Sequence, residues 1–300
     1  MTPNWDDMRV FLAVAREESL SSAGRRLKID PATVGRRIAR LETALKAPLF
    51  TKSPQGYLLT SAGERLFEHA QSAEEAMRAA AGAMDGSTKA LSGQIRIGAP
   101  DGSANYLLPQ VCARISDANP DLDIQILALP RIINLSRREA DMALTVSAPT
   151  AGKLLVQKVS DYRLHMVATE DYLARHAPIR TLDDLRGHRM IGYIPDMIFD
   201  RELDYLNDIG IDRVALASNS VSVQLRQASL GTGVCVAHDF TLPFHPGLRK
   251  ILTDQVSLTR SFYLVRHQGD QRNERLNRFA DALCRGIRDE IARLEAQAQA

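Results

Sequence analysis

The sequence predicts an all-α N-terminal module with a short β-hairpin, then a linking helix, then a larger α/β domain. Three observations carry this. The first 60 residues hold ten basic and six acidic side chains, or +4, in a chain whose net charge is only +2. Two apolar pairs, Leu49-Phe50 and Leu58-Leu59, flank a Ser53-Pro54-Gln55-Gly56 turn signal. From Gly93 onward the helical periodicity gives way to short apolar runs separated by helical segments.

Each element has a local reason. Met8, Phe11, Leu12 and Ala15 recur at helical spacing, with Asn4 or Asp6 as the N-cap. A short helix follows through Ser21–Leu27, entered from Ser19 or Ser21. A third helix begins at Asp30-Pro31, where Asp accepts from free amides and Pro is preorganised for the first helical position. Val34, Ile38, Leu41 and Leu45 give it an apolar stripe. Thr33, Arg36, Arg37 and Arg40 share another face because they sit three or four residues apart. Pro48 stops the helix and the hairpin follows. Ser61-Ala62-Gly63-Glu64 has the form of a capping box and opens a long helix. Its residues Ala62, Leu66, Ala70, Ala73, Met77, Ala80 and Met84 suit pairing with a second copy; packing on its own domain is the alternative. Asp85–Thr88 ends it.

In the larger domain, strands are expected at 94–98, 123–129, 141–146, 164–168, 190–193, 214–218, 234–237 and 262–266. Helices are expected at 103–116, 170–176, 182–186, 200–208, 221–230 and 273–295, with a helical turn at 132–138. Strands joined by helical crossovers imply a mostly parallel sheet. Roughly 200 residues is generous for one such sheet, so two lobes are expected.

Composition narrows the function. At 45% hydrophobic and 25% charged, the chain reads as globular. No apolar run reaches a membrane span, and Met1–Phe11 lacks the basic-then-apolar pattern of a secretory leader. Cys112, Cys235 and Cys284 are far apart, without metal-ligand spacing, and read as buried thiols. A cytoplasmic protein is expected, without a metal or cofactor. No nucleophile elbow, phosphate loop or dinucleotide fingerprint appears, which argues against an enzyme. A basic module on a near-neutral chain instead suits nucleic-acid binding.

A helix-turn-helix places its second helix in the major groove. The expected DNA contacts are therefore Pro31, Ala32, Thr33, Arg36, Arg37 and Arg40, with Lys52 and Gln55 from the wing. Arginine either reads guanine in a bidentate way or neutralises phosphate, and sequence leaves both open. A solvated basic helix face is the bland alternative.

The segment Met8–Leu66 resembles the winged helix-turn-helix of the LysR-type transcriptional regulators. The carriers are Phe11, Ala15, Ser19, Ala23, Leu27, Val34, Arg37, Ile38, Leu41-Glu42, Leu45, Leu49-Phe50 and Leu59-Thr60-Ser61-Ala62-Gly63. Gly93–Pro109, Glu139–Leu144 and Gly231–Val234 resemble parts of that family's effector domain. The sequence departs from the family at Asp30-Pro31-Ala32, where Ser-Gln-Pro or Ser-Gln-Ser is usual, and at Gly35, where Ser is usual.

The resemblance implies residues 1–60 as the DNA-binding head, 61–88 as linker helix, and 89–300 as a two-lobed, periplasmic-binding-protein-like effector domain. Lobe I would span about 89–162 and 267–300, and lobe II about 163–266. The crossing strands would lie near Tyr162–Leu164 and Val265–His267. A small-molecule effector would bind outside the carboxyl ends of the strands, at Asp101, Gly102, Ser103, Pro130, Arg131, Thr145, Pro195, Asp196, Asn219 and Ser220. Amides at Gly102–Asn105 and Ser220–Val223 would offer an anion site. A carboxylate at Asp101 opposes a carboxylate effector there unless Arg131 compensates, pairs instead with an amine or hydroxyl of the ligand, or else simply caps its own helix. The implied partners are double-stranded promoter DNA, the effector, a second copy in a homodimer or homotetramer, and RNA polymerase for an activator.

Overall fold

A computed structural model describes residues 4–53, 56–84, 90–128, 140–150 and 152–298. The chain divides into two compact units, Met1–Lys89 and Ala90–Ala300.

The first unit starts with α1 (Trp5–Glu17), capped by Asn4 Oδ1 accepting from Asp6 N at 2.9 Å. Helix α2 (Leu20–Leu27) is capped by Ser19. Helix α3 (Pro31–Leu45) is capped by Asp30, whose Oδ1 accepts from Ala32 N at 2.8 Å. Val10, Phe11, Val14, Ala23, Val34, Ile38 and Leu41 form a buried core. Strands β1 (Phe50–Ser53) and β2 (Gly56–Leu59) pair antiparallel as the wing. Phe11 ties the layers together, with ring centroids 5.3 Å from Phe50 and 6.4 Å from Phe67.

Two glycines set the wing against the helices. Gly56 has φ +130°, and a Cβ there would lie 2.3 Å from the Glu18 carbonyl oxygen. A Cβ on Gly63 would lie 2.2 Å from the Leu49 carbonyl oxygen. Glu42 serves the same junction: its Oε1 accepts from Leu49 N at 2.7 Å and Phe50 N at 3.3 Å.

Helix α4 (Ser61–Met84) departs from the expected capping box. Its cap is Thr60, which accepts from Gly63 N at 3.0 Å and donates to the Pro48 carbonyl at 2.7 Å. Leu66, Phe67 and Ala70 pack on the module's own core, whereas Met77 is exposed.

In the second unit, nine strands of the described residues share one sheet. They are β3 (Gly93–Ala99), β4 (Leu122–Ala128), β5 (Met142–Thr145), β6 (Leu154–Thr169), β7 (Met190–Gly192), β8 (Leu216–Ala217), β9 (Val234–His238), β10 (Leu248–Ile251) and β11 (Leu258–His267). The order is β4-β3-β5-β11-β6-β9-β7-β8, with β10 on β6. The expected mostly parallel sheet is instead mixed. Each flank is parallel, but the β5–β11, β11–β6, β6–β9 and β10–β6 pairings are antiparallel. Two long antiparallel strands crossing between the flanks cause this.

Strand β6 begins ten residues before the expected Leu164 and passes from one half of the sheet to the other. Its residues Leu154–Val156 pair with Val265–His267, and Ser160–Leu164 pair with Leu258–Phe262. The register shifts between Phe262 and Tyr263. The returning strand β11 keeps β6 as its neighbour along its whole length, and gains β5 on its other side from Tyr263 to Arg266.

The helix expected at 103–116 is two: α5 (Asp101–Tyr106) and α6 (Leu108–Asp117), broken at Leu107 just before Pro109. Helices α7 (Glu170–Arg175), α8 (Tyr205–Asp208), α9 (Val221–Ser229) and α10 (Glu274–Gln297) complete the unit. Single 3-10 turns replace the segment expected at 182–186 and the front of the one expected at 200–208. The turn expected at 132–138 lies outside the described residues.

Candidate functional site

The head presents α3 through its capped N-terminus. Pro31 and Ala32 are exposed there, and Thr33 is half-buried. Arg36 is exposed and donates from Nη2 to Thr33 Oγ1 at 2.9 Å, which steadies it along the helix. Arg37 is half-buried and has no hydrogen bond or ion pair among the described residues.

Arg40 differs from the expected reading residue. Its guanidinium makes two bonds to the carboxylate of Asp7, one of them Nε to Oδ2 at 2.6 Å. Asp7 is buried, and that hydrogen bond raises the Arg40 pKa. Arg40 therefore fastens α3 to α1. Lys52 is exposed on β1 with its Nζ 5.8 Å from the Tyr57 ring centroid. Gln55 lies outside the described residues.

In the second unit, the carboxyl ends of β3, β5, β7 and β9 converge with the crossing strands. Asp101 begins α5 but does not cap it; its N-cap is Pro100, without a side-chain bond. The Asp101 carboxylate instead crosses to α9. Its Oδ2 accepts from Ser220 Oγ at 3.0 Å, Ser222 N at 3.0 Å and Ser222 Oγ at 3.1 Å. Its Oδ1 accepts from Asn105 Nδ2 at 3.0 Å. Ser220 also caps α9 by accepting from Val223 N at 3.3 Å.

The other expected residues divide. A Cβ on Gly102 would sit 3.5 Å from His238 Cε1 and 3.6 Å from Val221 Cγ1, so this turn abuts the opposite half. Ser103 is buried and donates to its own Pro100 carbonyl at 3.0 Å. Thr145 donates to the Ser147 carbonyl at 2.7 Å, and Ser147 Oγ in turn bonds Asp200 across the halves. Pro195 lines a cavity of about 280 Å³ with Tyr193, Tyr205, Leu206 and Val214, all within one half. Asp196 is exposed and Asn219 half-buried. Pro130 and Arg131 lie outside the described residues.

Sequence reasoning missed the residues beneath this junction. His238 is 4% exposed; its Nε2 lies 3.4 Å from the Tyr205 hydroxyl, and its Nδ1 has no partner among the described residues. Burial pushes its pKa down to about 4. Tyr162, on β6, stacks on Phe262 of β11 at 4.2 Å and is itself buried. Burial raises the pKa of Tyr162, Tyr193 and Tyr205. Tyr106 bonds His245 Nε2 at 3.0 Å, linking α5 to the turn after β9. No local signal marks these residues, because each depends on a partner far along the chain.

The thiols are buried, and burial raises Cys112 and Cys235 to about 12 and Cys284 to about 11. Such thiols hold almost no thiolate at neutral pH. Among the described residues no group of three metal-ligating side chains occurs, and no helix is long and apolar enough to cross a membrane.

Residues 5–64 match the bacterial regulatory helix-turn-helix protein, lysR family, and residues 88–287 match the LysR substrate binding domain. The regulator DmlR of Escherichia coli is 26% identical over 184 residues, 61% of this chain and 60% of that protein. CrgA of Neisseria meningitidis is 26% identical over 187 residues, 62% of each chain. GltR of Bacillus subtilis is 31% identical over 183 residues, 60% of each. The match thus spans about three-fifths of the length of these curated relatives. Among solved structures, a full-length OxyR variant of Pseudomonas aeruginosa has a TM-score of 0.71 at 16% identity, covering 96% of this chain and 98% of that one. The structure of CrgA has a TM-score of 0.57 at 23% identity, covering 95% and 99%. These structural likenesses concern the fold.

Proposed function

This chain belongs to the LysR family of bacterial helix-turn-helix regulatory proteins, and from that premise we propose that it is an effector-responsive transcription regulator. The head binds double-stranded promoter DNA through α3 and the wing. A small molecule binds between the two halves of the α/β unit and changes DNA binding through its different affinity for two arrangements. The protein acts in the cytoplasm as a homodimer or homotetramer. Ala73 and Met77, exposed on α4 at near-heptad spacing, support pairing there. An activating member would also touch RNA polymerase.

The observation that carries the DNA-binding reading is the α3 face. A capped helix N-terminus, exposed Arg36 and an Arg37 without an ion pair among the described residues stand together, with Lys52 on the wing. Of the three arginines expected to reach DNA, Arg36 and Arg37 carry the proposal and Arg40 is committed to Asp7. Domain boundaries follow the same reading: head 1–60, linker 61–88, effector domain 89–300.

Fluorescence anisotropy with the chain's own upstream DNA tests it. Wild type should prefer that DNA over a random duplex, with affinity falling as salt rises. Arg36→Ala should cost about 1–3 kcal/mol of binding, or roughly ten- to hundredfold. Equal affinity for upstream and random DNA at every salt concentration sinks the reading.

A further inference from the structure

The amides at the start of α9 are the natural seat for an anion, since helix N-termini carry partial positive charge and free N–H groups. Here the seat is taken. A backbone amide and two hydroxyls at Ser220 and Ser222 surround one oxygen of Asp101, which arrives from α5 in the other half of the sheet. These groups compose a carboxylate-recognition site, and the carboxylate belongs to the chain itself. They are neutral, so among the described residues the charge of Asp101 is solvated by dipoles but not cancelled. A second anion brought beside it meets a like charge at short range.

A second observation shows where a ligand would still find partners. His238 Nδ1 is buried and without a partner among the described residues, and the His238 ring edge faces Gly102, the residue next to Asp101. Buried polar atoms without partners are rare in native proteins and call for an explanation.

We propose that Asp101 determines the charge of the effector: its carboxylate stands where an effector anion would, so the cleft rejects carboxylates and phosphates and takes a non-anionic, hydrogen-bonding molecule that reaches His238 Nδ1. This rests on the reading of the cleft as the effector site. It also gives Asp101 a second task, holding the two halves together before any ligand arrives.

The test uses the full chain and two probe anions, sodium benzoate and sodium phosphate, against sodium chloride at equal ionic strength. Ligand-observed NMR (phosphorus-detected for phosphate) and thermal unfolding are read together. Wild type shows no anion-specific signal. Asp101→Ser and the near-isosteric Asp101→Asn, which protects against a misfolded first variant, free the α9 amide and hydroxyls. They bind at least one probe about tenfold or more tighter than wild type. Ser222→Ala loosens the same contact but keeps the charge, and stays blind to both anions. Binding of either anion to wild type as tightly as to the variants overturns the proposal. So does a folded Asp101→Asn that gains nothing, or an equal gain in Ser222→Ala, which would assign the effect to loosening. DNA binding measured on the same samples reports separately on the regulator reading, so the two failures are distinguishable.

Discussion

The two units place aspartates at helix N-termini by opposite means. In the head, Asp30 caps α3 from the position before it and bonds an amide two residues on. In the α/β unit, Asp101 supports the start of α9 from 121 residues away. The contrast extends to the interiors. The described head core has one buried charged group, Asp7, and His69 on the helix that follows is exposed. The α/β unit buries His165, His238, Asp239 and Glu290. The head's buried Asp7 is paired with Arg40, 33 residues on along the chain, whereas in the α/β unit the joined segments lie more than a hundred residues apart, as at Asp101 and Ser222.

Acid gives the largest test of this contrast. His238 ordinarily titrates near 6.5, and burial holds it at about 4 in the folded protein. Its folded pKa lies below its unfolded one, so the unfolded chain takes up the proton first. The stability it contributes is complete above pH 6.5 and is lost as pH falls toward 4, by roughly 3 kcal/mol at about 1.4 kcal/mol per pH unit. The α/β unit should therefore lose stability across that window while the head changes less. Trp5, the only tryptophan, reports the head by fluorescence, and far-UV circular dichroism follows the whole chain. Coincident acid transitions would erase the distinction.

Cap removal sharpens it further. Ser220→Ala removes both the α9 cap and one donor to Asp101, at a cost of about 1–2 kcal/mol. In a unit of this size that lowers its melting temperature by about 2–8 °C. The Trp5 transition should not move. Asp30→Ala costs about 1 kcal/mol in the smaller head, where the same energy moves the midpoint by about 4–8 °C. It should weaken DNA binding without altering the α/β unit. Calorimetry that finds either substitution shifting both units equally would refute the separation.

The smallest effect concerns the thiols. All three cysteines are buried, and burial raises each thiol, outweighing the nearby Arg266, Arg285 and Arg288 at Cys284. Brief exposure to dilute peroxide should leave DNA affinity unchanged, and mass spectrometry should find no sulfenic acid at Cys235. Rapid oxidation there would show that the α/β unit opens far more readily than its packing implies.

Much of the head is readable from the chain because its determinants are neighbours. Asn4, Ser19 and Asp30 act within three residues of themselves, and the wing turn is bounded by its own strands. Local reasoning fails where a residue has two options of equal local merit. Ser61 loses the α4 cap to Thr60, because only Thr60 also reaches the Pro48 carbonyl. Arg40 shares the helical face of Arg36, yet Asp7 of α1 lies within its reach.

Sequence alone thus determined the helix-turn-helix, the wing and the alternation of strands and helices in outline, though not β10 or the break between α5 and α6. Periodicity, caps and turn residues act over a few residues, and one chain displays them fully. Tertiary structure decided that the sheet is mixed, that β6 and β11 cross, and that the Asp101 carboxylate serves α9 and not its own helix. Those outcomes depend on which surfaces meet across a hundred residues, and no local pattern encodes the meeting.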